Sequence, residues 1–501
     1  MLLWNPDMNW IRNPFPPAVL ALILAGCSVA PVYERPQADV PAAFKEAKGD
    51  AAAAGNADWK PAEPADGIAR GPWWHVFGDA TLDGLEERAM AANQDLQAAA
   101  ARLAQSRALQ QDARAGLFPR VDAGVGPTRQ RPSPASQGRP DDGPSQASTL
   151  WRAQLSVSYE ADLFGRVASS VNAAEADAER SEALFESVRL ALQGDVAQAY
   201  FLVRELDAVQ ALYRRTVALR EQALKLAQRR FEEGDIAELD VARARAELAT
   251  ARSESLGTAR ARASAEHALA ILLGAAPADF TLAEMPLVRS APPVPALLPS
   301  ALLERRPDIA AAERAMAAAN ARIGMARAAF FPRLDITAGL GTEASQFDNL
   351  ARWSSRTFLF GPLVGTMLTL PIFDGGRRDA ALDLARARYE EDVAAYRQTV
   401  LTAFREVEDN LANLRILAQQ AAAQDEAVAA SLRASQLSQT QYREGSVSYL
   451  EVIDADRNVL QQQRAAMQMD GERARSTVAL IRALGGGWQA PEPVASASPR
   501  R

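Results

Sequence analysis

The sequence predicts a mainly α-helical protein with a small β part, built from two copies of one long unit. The first observation is an internal repeat: residues 230–244 read RFEEGDIAELDVARA and residues 441–455 read QYREGSVSYLEVIDA. Gly234 and Gly445 occupy the same place in these segments and lie 211 positions apart, from 445 − 234. Repeats of this length exceed the roughly 20 to 50 residues of a solenoid unit, which favours two halves packed side by side. Three further pairs keep the offset: Gly165 with Gly376, Val196 with Val407, and Gly274 with Gly485.

The second observation is the composition. The 501 residues carry 55 basic and 62 acidic side chains, a formal net charge of −7, and 6% aromatic residues. Abundant Ala, Leu, Glu, Gln and Arg with few aromatic residues is typical of long, closely packed helices. The charge balance offers no basic surface for nucleic acid, and the sequence contains no recognisable nucleotide loop, metal cluster or nucleophile–base set. We therefore expect neither an enzyme nor a nucleic-acid-binding protein, and no cofactor.

A short apolar run precedes the single cysteine. Residues 18–24 read AVLALIL and are followed by Ala25, Gly26 and Cys27. The run is shorter than the about 20 residues of a membrane-spanning helix and ends in the small residues of a secretory signal. It resembles a bacterial lipoprotein signal, which implies a signal peptide at residues 1–26 and a lipidated Cys27. The alternative is a buried cysteine in an apolar N-terminal helix.

The first half of the mature chain predicts a helix, two strands and a long polar loop. Residues 27–72, rich in Ala and Pro, are interpreted as the anchor and a tether with little structure. A helical pattern then runs from Trp73 to about Ala115, where Gly116 ends it. β-favouring residues predict strands at 118–125 and 151–164, on either side of a polar loop at 126–149.

The second half repeats this order. A helix at 301–329 precedes predicted strands at 330–340 and 357–373, so each chain supplies four strands. No other apolar run reaches membrane-spanning length, so a membrane crossing would need strands in a closed barrel. Four strands are too few, because even small membrane barrels need about eight. Closure must therefore come from several chains.

Each predicted hairpin leads into a helix of unusual length. Residues 167–231 contain no proline over 65 positions, which corresponds to a helix on the order of 100 Å long. Each long helix should break at Gly234 or Gly445, and a shorter helix should return to Gly274 or Gly485. The second long helix carries a heptad-like apolar seam typical of coiled-coil packing, formed by Tyr389, Val393, Tyr396, Val400, Ala403, Val407, Leu411 and Leu414.

We therefore divide the mature chain into two repeats with flanking segments. The helix before each hairpin and the returning helix together match the long helix in length, so two short helices should stack end to end beside one long helix. The predicted boundaries are a first repeat at 73–285, a Pro-rich linker at 286–300, a second repeat at 301–486 and a disordered tail at 487–501.

Several motifs together resemble the TolC-like outer membrane efflux proteins, in their NodT-type lipoprotein branch. The resemblance covers nearly all the mature chain except the loop at 126–149 and the tail. The motifs are Cys27 with Pro31-Val-Tyr33-Glu-Arg-Pro36, Trp73-Trp74 with Phe77, Asp79 and Leu82, Arg305-Arg306-Pro307-Asp308-Ile309 with Ala312-Glu313, the two FPR segments and the two Gly turns.

The resemblance implies a homotrimer with a 12-stranded outer membrane β-barrel and a periplasmic α-helical tunnel. Cys27 would carry N-palmitoyl and S-diacylglycerol groups, and Ser28 after it points to the outer membrane. The implied function is the exit duct of a tripartite pump that exports small toxic compounds or drugs, with a periplasmic adaptor and an inner-membrane transporter, of RND type. Two alternatives are an outer membrane component of type I protein secretion and a lipid-anchored periplasmic coiled-coil scaffold.

The helix turns are the predicted working end. The resemblance implies constricting apolar and acidic rings at Leu450 and Asp454, which are i and i+4 on one helix face. Asp454 aligns with Arg243, so such a ring is not six-fold. The alternative for the carboxylates is that they complement the helix dipole; Tyr442 could hydrogen-bond across the mouth, and we favour packing for it. The predicted constriction comprises Asp240, Tyr442, Leu450, Glu451 and Asp454.

The tips of the turns are the predicted contact surface for the adaptor. A simpler interpretation is that each glycine only permits a turn with positive φ, and both interpretations are compatible. The predicted tip residues are Gly234, Asp235, Gly445, Ser446 and Val447.

Overall fold

The structure is a computed structural model that describes residues 29–36, 41, 44–46, 71–131, 133, 147–287, 305–359 and 366–486. The predictions for the signal peptide, the lipidated Cys27, most of the linker and the tail fall outside these residues.

The long helix and the returning helix match in length and position between the two repeats. In the first repeat the helices are α1 (Ala80–Ala92), α2 (Gln94–Ala115), α3 (Arg166–Glu232) and α4 (Glu238–Leu272), and in the second α5 (Pro307–Ala328), α6 (Arg377–Arg443) and α7 (Tyr449–Ala483). α3 and α6 each contain 67 residues, and α4 and α7 each contain 35. The bounds of α6 and α7 follow those of α3 and α4 by 211 residues, as in 377 − 166, so the predicted duplication is confirmed for the helices.

The first helix is broken, which the sequence interpretation missed. A short 3₁₀ helix covers Trp73–Phe77, and Asn93 separates α1 from α2 in an extended conformation with ψ of 128°. The side-chain oxygen of Asn93 accepts a hydrogen bond from the Leu96 N–H at 2.9 Å. It thereby caps the start of α2, whereas the apolar pattern used for the prediction runs on through the break.

The strands form one antiparallel sheet that combines both repeats. Its strands are β1 (Arg120–Gln130), β2 (Ser148–Ala161), β3 (Arg333–Ala344), β4 (Arg356–Leu359) and β5 (Thr366–Thr369). β2 pairs with β1 and β3, and both β4 and β5 pair with β3. The fourth predicted strand, at 357–373, is thus described in two pieces on one partner, and residues 360–365 between them lie outside the description.

The chain forms two compact units, each drawn from both repeats. One unit comprises residues 1–36, 104–179 and 313–394 and holds the sheet; the other comprises residues 37–103, 180–312 and 395–501. The larger core of the second unit includes Leu82, Ala89, Val196, Leu269 and Val478. No helix in the described residues is both long enough and apolar enough to cross a membrane.

The predicted seam of the second long helix is buried in its middle. Tyr396, Val400, Ala403 and Val407 are at most 1% exposed. Their spacing of four, three and four residues is the spacing that places side chains on one helix face. The core of the seam prediction is therefore confirmed.

Two pieces of the predicted tether contact their own units. In the first unit, the Tyr33 hydroxyl donates to the Glu313 carboxylate at 2.7 Å. In the second, the backbone N–H groups of Lys45 and Glu46 donate to the Glu408 carboxylate at 2.7 and 3.0 Å. These described pieces are therefore held by specific hydrogen bonds.

The second unit contains a buried acid that the helical pattern did not indicate. Glu86 of α1 is fully buried, and neither carboxylate oxygen has a hydrogen-bond partner among the described residues. Burial, together with the negative charge of Asp83, raises the pKa of Glu86 to about 9. Glu86 is therefore protonated at neutral pH, because the ionised form would be stranded in a medium of low polarity.

Candidate functional site at the helix turns

The two turns share one hydrogen-bond pattern. In the first, the N–H groups of Gly234 and Asp235 donate to the carbonyl oxygens three and five residues earlier, at 3.0 and 2.8 Å. In the second, Gly445 and Ser446 do the same at 3.1 and 2.9 Å. This is the Schellman arrangement that ends a helix with a residue in the left-handed conformation.

The turn glycines are required by conformation and not by space. Their φ angles are 82° at Gly234 and 75° at Gly445, and an added Cβ would meet nothing within 4 Å at either position. A side chain would fit but would favour other backbone angles, at a cost of about 1 kcal/mol. The tips consequently present exposed backbone together with the exposed side chains of Asp235 and Ser446.

Three of the predicted constriction residues lie on the first two turns of α7. Leu450 is 40% exposed as a residue, and the Asp454 side chain is 61% exposed. Glu451 is also exposed, within the acidic first turn. All three side chains are accessible to solvent in the single chain.

An aspartate–arginine pair recurs in the two returning helices with a shift. Asp240 and Arg243 of α4 are 3.4 Å apart, as are Asp454 and Arg457 of α7. At the 211-residue offset Asp240 matches Glu451, so the pair stands three residues, or about one helical turn, further along α7. The two copies therefore differ in where this ion pair lies along the returning helix.

Tyr442 contacts both the other repeat and its own returning helix. Arg230 Nη1 of α3 donates to the Tyr442 hydroxyl oxygen at 3.3 Å, and the ring centroids of Tyr442 and Tyr449 are 5.4 Å apart. Burial, and next the neighbouring Tyr442, raise the pKa of Tyr449. Tyr442 therefore both packs on Tyr449 and accepts a hydrogen bond from Arg230 of the same chain.

The sequence interpretation missed an ionic cluster on α3, α4 and α7, along the helices beyond the turns. Glu247 of α4 is buried, with its side chain 8% exposed. It accepts hydrogen bonds from Arg457 of α7, through Nε at 2.9 Å, and forms an ion pair with Arg220 of α3. Burial lowers the pKa of Arg220. One carboxylate thus joins three helices from both repeats.

A second link joins α6 to α7. Asp456 accepts hydrogen bonds from the Ser435 hydroxyl at 2.6 Å and from the Gln439 amide at 3.2 Å. Among the described residues, no group of three His, Cys, Asp or Glu side chains could hold a metal ion. The turns are therefore a site of helix contacts and exposed carboxylates.

Comparison with known proteins places this arrangement in a family. The sequence profile described as "Outer membrane efflux protein" matches residues 85–275 and 298–486. The chain belongs to the outer membrane efflux protein family. One matched segment falls mainly in each repeat, and the resemblance inferred from the motifs is confirmed at the level of this family.

Relatives match over nearly the whole chain. The probable efflux pump outer membrane protein TtgC of Pseudomonas putida is 37% identical over 478 residues, covering 94% of this chain and 95% of TtgC. A crystal structure of a membrane protein from Pseudomonas aeruginosa is 35% identical, with a TM-score of 0.80, covering 92% of this chain and 98% of that protein. The outer-membrane channel OprN is 30% identical, with a TM-score of 0.81, covering 93% and 100%. The predicted fold class is therefore confirmed.

Only part of the Glu247 cluster has a signal in the sequence. Val241, Ala244, Leu248 and Ala251 form the buried face of α4, and Glu247 lies beside that face at helical spacing. A charged residue there indicates a buried partner. The partners lie 27 and 210 positions away (247 − 220 and 457 − 247), and nothing in one sequence pairs them.

Proposed function

We propose that this chain is the outer membrane exit duct of a tripartite efflux pump that exports small toxic compounds or drugs. The observation that carries the proposal is the 37% identity to an efflux pump outer membrane protein over 94% of the chain. The likeness to the outer-membrane channel OprN supports a pore. The geometry agrees, because both repeats contribute strands to one sheet and each repeat joins a long helix to a returning helix at its own turn.

The proposed duct is a homotrimer. Among the described strands the sheet is open, with β1 at one edge and β4 and β5 at the other. Four strand positions are too few for a membrane barrel, and three copies would supply 12. Six helix turns would then surround one mouth.

The proposed partners meet the duct at the turn tips. A periplasmic adaptor would contact Gly234, Asp235, Gly445, Ser446 and Val447, and an inner-membrane transporter, of RND type, would supply substrate. The support is the exposed backbone at both tips. A component of type I protein secretion is the alternative, and the names of the relatives favour efflux.

The proposed constriction is formed by the starts of α4 and α7 and the end of α6. Leu450 and Asp454 are exposed in the single chain, so three copies would place an apolar and an acidic ring around the axis. A carboxylate ring favours cations. Asp240, Glu451 and Tyr442 would complete the narrow region. Cys27 would hold the chain at the outer membrane through its lipid.

Dye export tests the proposal against protein secretion. Cells lacking this chain but retaining the adaptor and transporter should accumulate ethidium, and restoring the chain should restore its export. A chain with Leu450→Ala and Asp454→Ala should be expressed equally and provides the matched variant for the constriction. Unchanged dye accumulation together with loss of a secreted protein from the medium would favour the secretion alternative.

A further inference from the structure

The two repeats contain matching joints, where the end of the returning helix meets the start of the helix that precedes the hairpin of the same repeat. In the first, the Asn93 side-chain amide donates to the carbonyl oxygen of Leu272, the last residue of α4, at 2.9 Å. In the second, Arg306 Nη1 donates to the carbonyl oxygen of Ala483, the last residue of α7, at 3.1 Å. Asn93 immediately precedes α2 and Arg306 immediately precedes α5. The two hydrogen bonds therefore occupy corresponding places at the two joints.

The glycines after the returning helices fix how tightly each joint closes. Gly274 has a φ of 65°, and a Cβ there would lie 2.2 Å from the Ala92 carbonyl oxygen. Gly485 has a φ of 83°, and its Cβ would lie 2.9 Å from the Arg305 carbonyl oxygen. Here glycine is required by both conformation and space. The joints therefore tolerate little change in the separation of their helices.

The second joint differs by carrying a charge that reaches a long helix. Arg306 is 8% exposed and donates through Nε and Nη2 to Asp308, at 3.0 and 2.7 Å. Its Nη1 also donates to the Glu406 carboxylate of α6 at 2.7 Å. One guanidinium thus contacts the start of α5, the end of α7 and the side of α6. Within the motif, Arg306 therefore links three helices.

The first joint makes no corresponding ion pair through its asparagine. At the 211-residue offset Glu406 matches Asp195 of α3, and Asn93 is a neutral amide. Asp195 instead accepts from Arg482 of α7 at 3.0 Å. The long helix of the second repeat is therefore tied to its own joint by charge, and that of the first repeat is tied to the other repeat.

We propose that Arg306 is a positioning residue that pins α6 to the second joint and thereby keeps the mouth at the second turn narrow. The inference rests on the proposed function. α6 runs without interruption from Arg377 to Arg443, so a slip along its axis at Glu406 is carried to Tyr442 near its end. Tyr442 contacts Arg230 of the first repeat at 3.3 Å, and this contact is lost when α6 slips.

Hydrogen exchange of the purified full-length protein tests the pin. Arg306→Asn gives the second joint the residue type of the first and removes the ion pair with Glu406. Exchange of α6 amides at 400–412 should rise about tenfold, because a hydrogen bond between charged groups is lost. Glu406→Gln should give the same rise and serves if Arg306→Asn fails to fold. The matched control is Arg482→Gln, which should leave exchange at 400–412 unchanged.

Single-channel recording tests the consequence at the mouth. Both Arg306→Asn and Glu406→Gln should raise the fraction of time that the channel is open, and Arg482→Gln should not. Unchanged exchange at 400–412 in both pin variants would overturn the pin. Increased exchange with an unchanged open fraction would overturn its effect on the mouth. A wild-type protein without conductance would instead contradict the proposed function, and the exchange result would still decide the pin.

Discussion

Replacing Glu247 by glutamine is expected to weaken the contacts that hold α4 to α3 and α7. Glutamine keeps the shape of the side chain and one acceptor oxygen but removes the negative charge. The Arg220 side chain, 14% exposed, would then lose its ion-pair partner, and of the carboxylates only those of Asp456 and Glu254 would still act on it. The Arg457 side chain is 57% exposed and would be solvated by water. The loss therefore falls mainly on the link between α3 and α4.

The magnitude follows from these exposures. Removing one partner of a buried ion pair costs about 3–5 kcal/mol, whereas the exposed pair with Arg457 contributes at most about 1 kcal/mol. Because glutamine retains an acceptor, we expect the low end of the first range, about 3 kcal/mol. This corresponds to a roughly 100-fold increase in the local opening equilibrium.

Hydrogen exchange in α3 and α4 measures this opening. Peptides covering 214–227 and 240–256 should exchange faster in Glu247→Gln. The control Glu232→Gln changes an exposed acid at the end of α3 and should leave both peptides unchanged. Arg220→Met in the Glu247→Gln background should recover much of the loss, because the stranded charge is then absent.

The double-mutant cycle decides the matter. A coupling free energy of about 2–3 kcal/mol between Glu247 and Arg220 is expected for residues in one buried ion pair. Effects of the two substitutions that simply add, within about 0.5 kcal/mol, would refute the view that this cluster joins the helices.

Three further predictions concern other parts of the molecule. Glu86 is protonated in the fold but ionises above pH 4.5 when unfolded. Its contribution to the free energy of unfolding is therefore complete below pH 4.5 and is lost as pH rises towards 9. The loss is on the order of 5 kcal/mol by pH 8, and Glu86→Gln should flatten it in chemical denaturation measured at several pH values. Gly445→Ala should destabilise the second turn by about 1 kcal/mol, seen as faster exchange at 441–450, with the helix-interior Gly257→Ala not showing this loss. Asp454→Asn should reduce cation over anion selectivity in reversal-potential measurements, and an unchanged reversal potential would remove Asp454 from the constriction.

The repeats and long helices were predictable because their signals are local. Glycine with positive φ ends α3 and α6, and the apolar seam identifies the buried face of α6. These features depend on a few neighbouring residues, so one sequence contains them. The 211-residue offset then transfers the boundaries of the long and returning helices from one repeat to the other.

The remaining features depend on contacts between distant residues. Asn93 interrupts a helical pattern because its side chain hydrogen-bonds to Leu96 and to Leu272. The contact with Leu96 is local, whereas the contact with Leu272 holds Asn93 against the end of α4. Arg306 reaches Glu406 and Ala483, which lie 100 and 177 residues away (406 − 306 and 483 − 306). Side-chain type and spacing do not specify such partners. The constriction residues remain predictions, since their proposed role needs three copies of the chain.

Conductance of the purified full-length protein in planar bilayers tests the central proposal most directly. We predict channels that appear with the trimer fraction and not with the monomer fraction, and that open more often after Asp454→Ala and Leu450→Ala together. A trimer fraction that gives no channels, even with both substitutions, would contradict the proposal that this chain is an outer membrane exit duct.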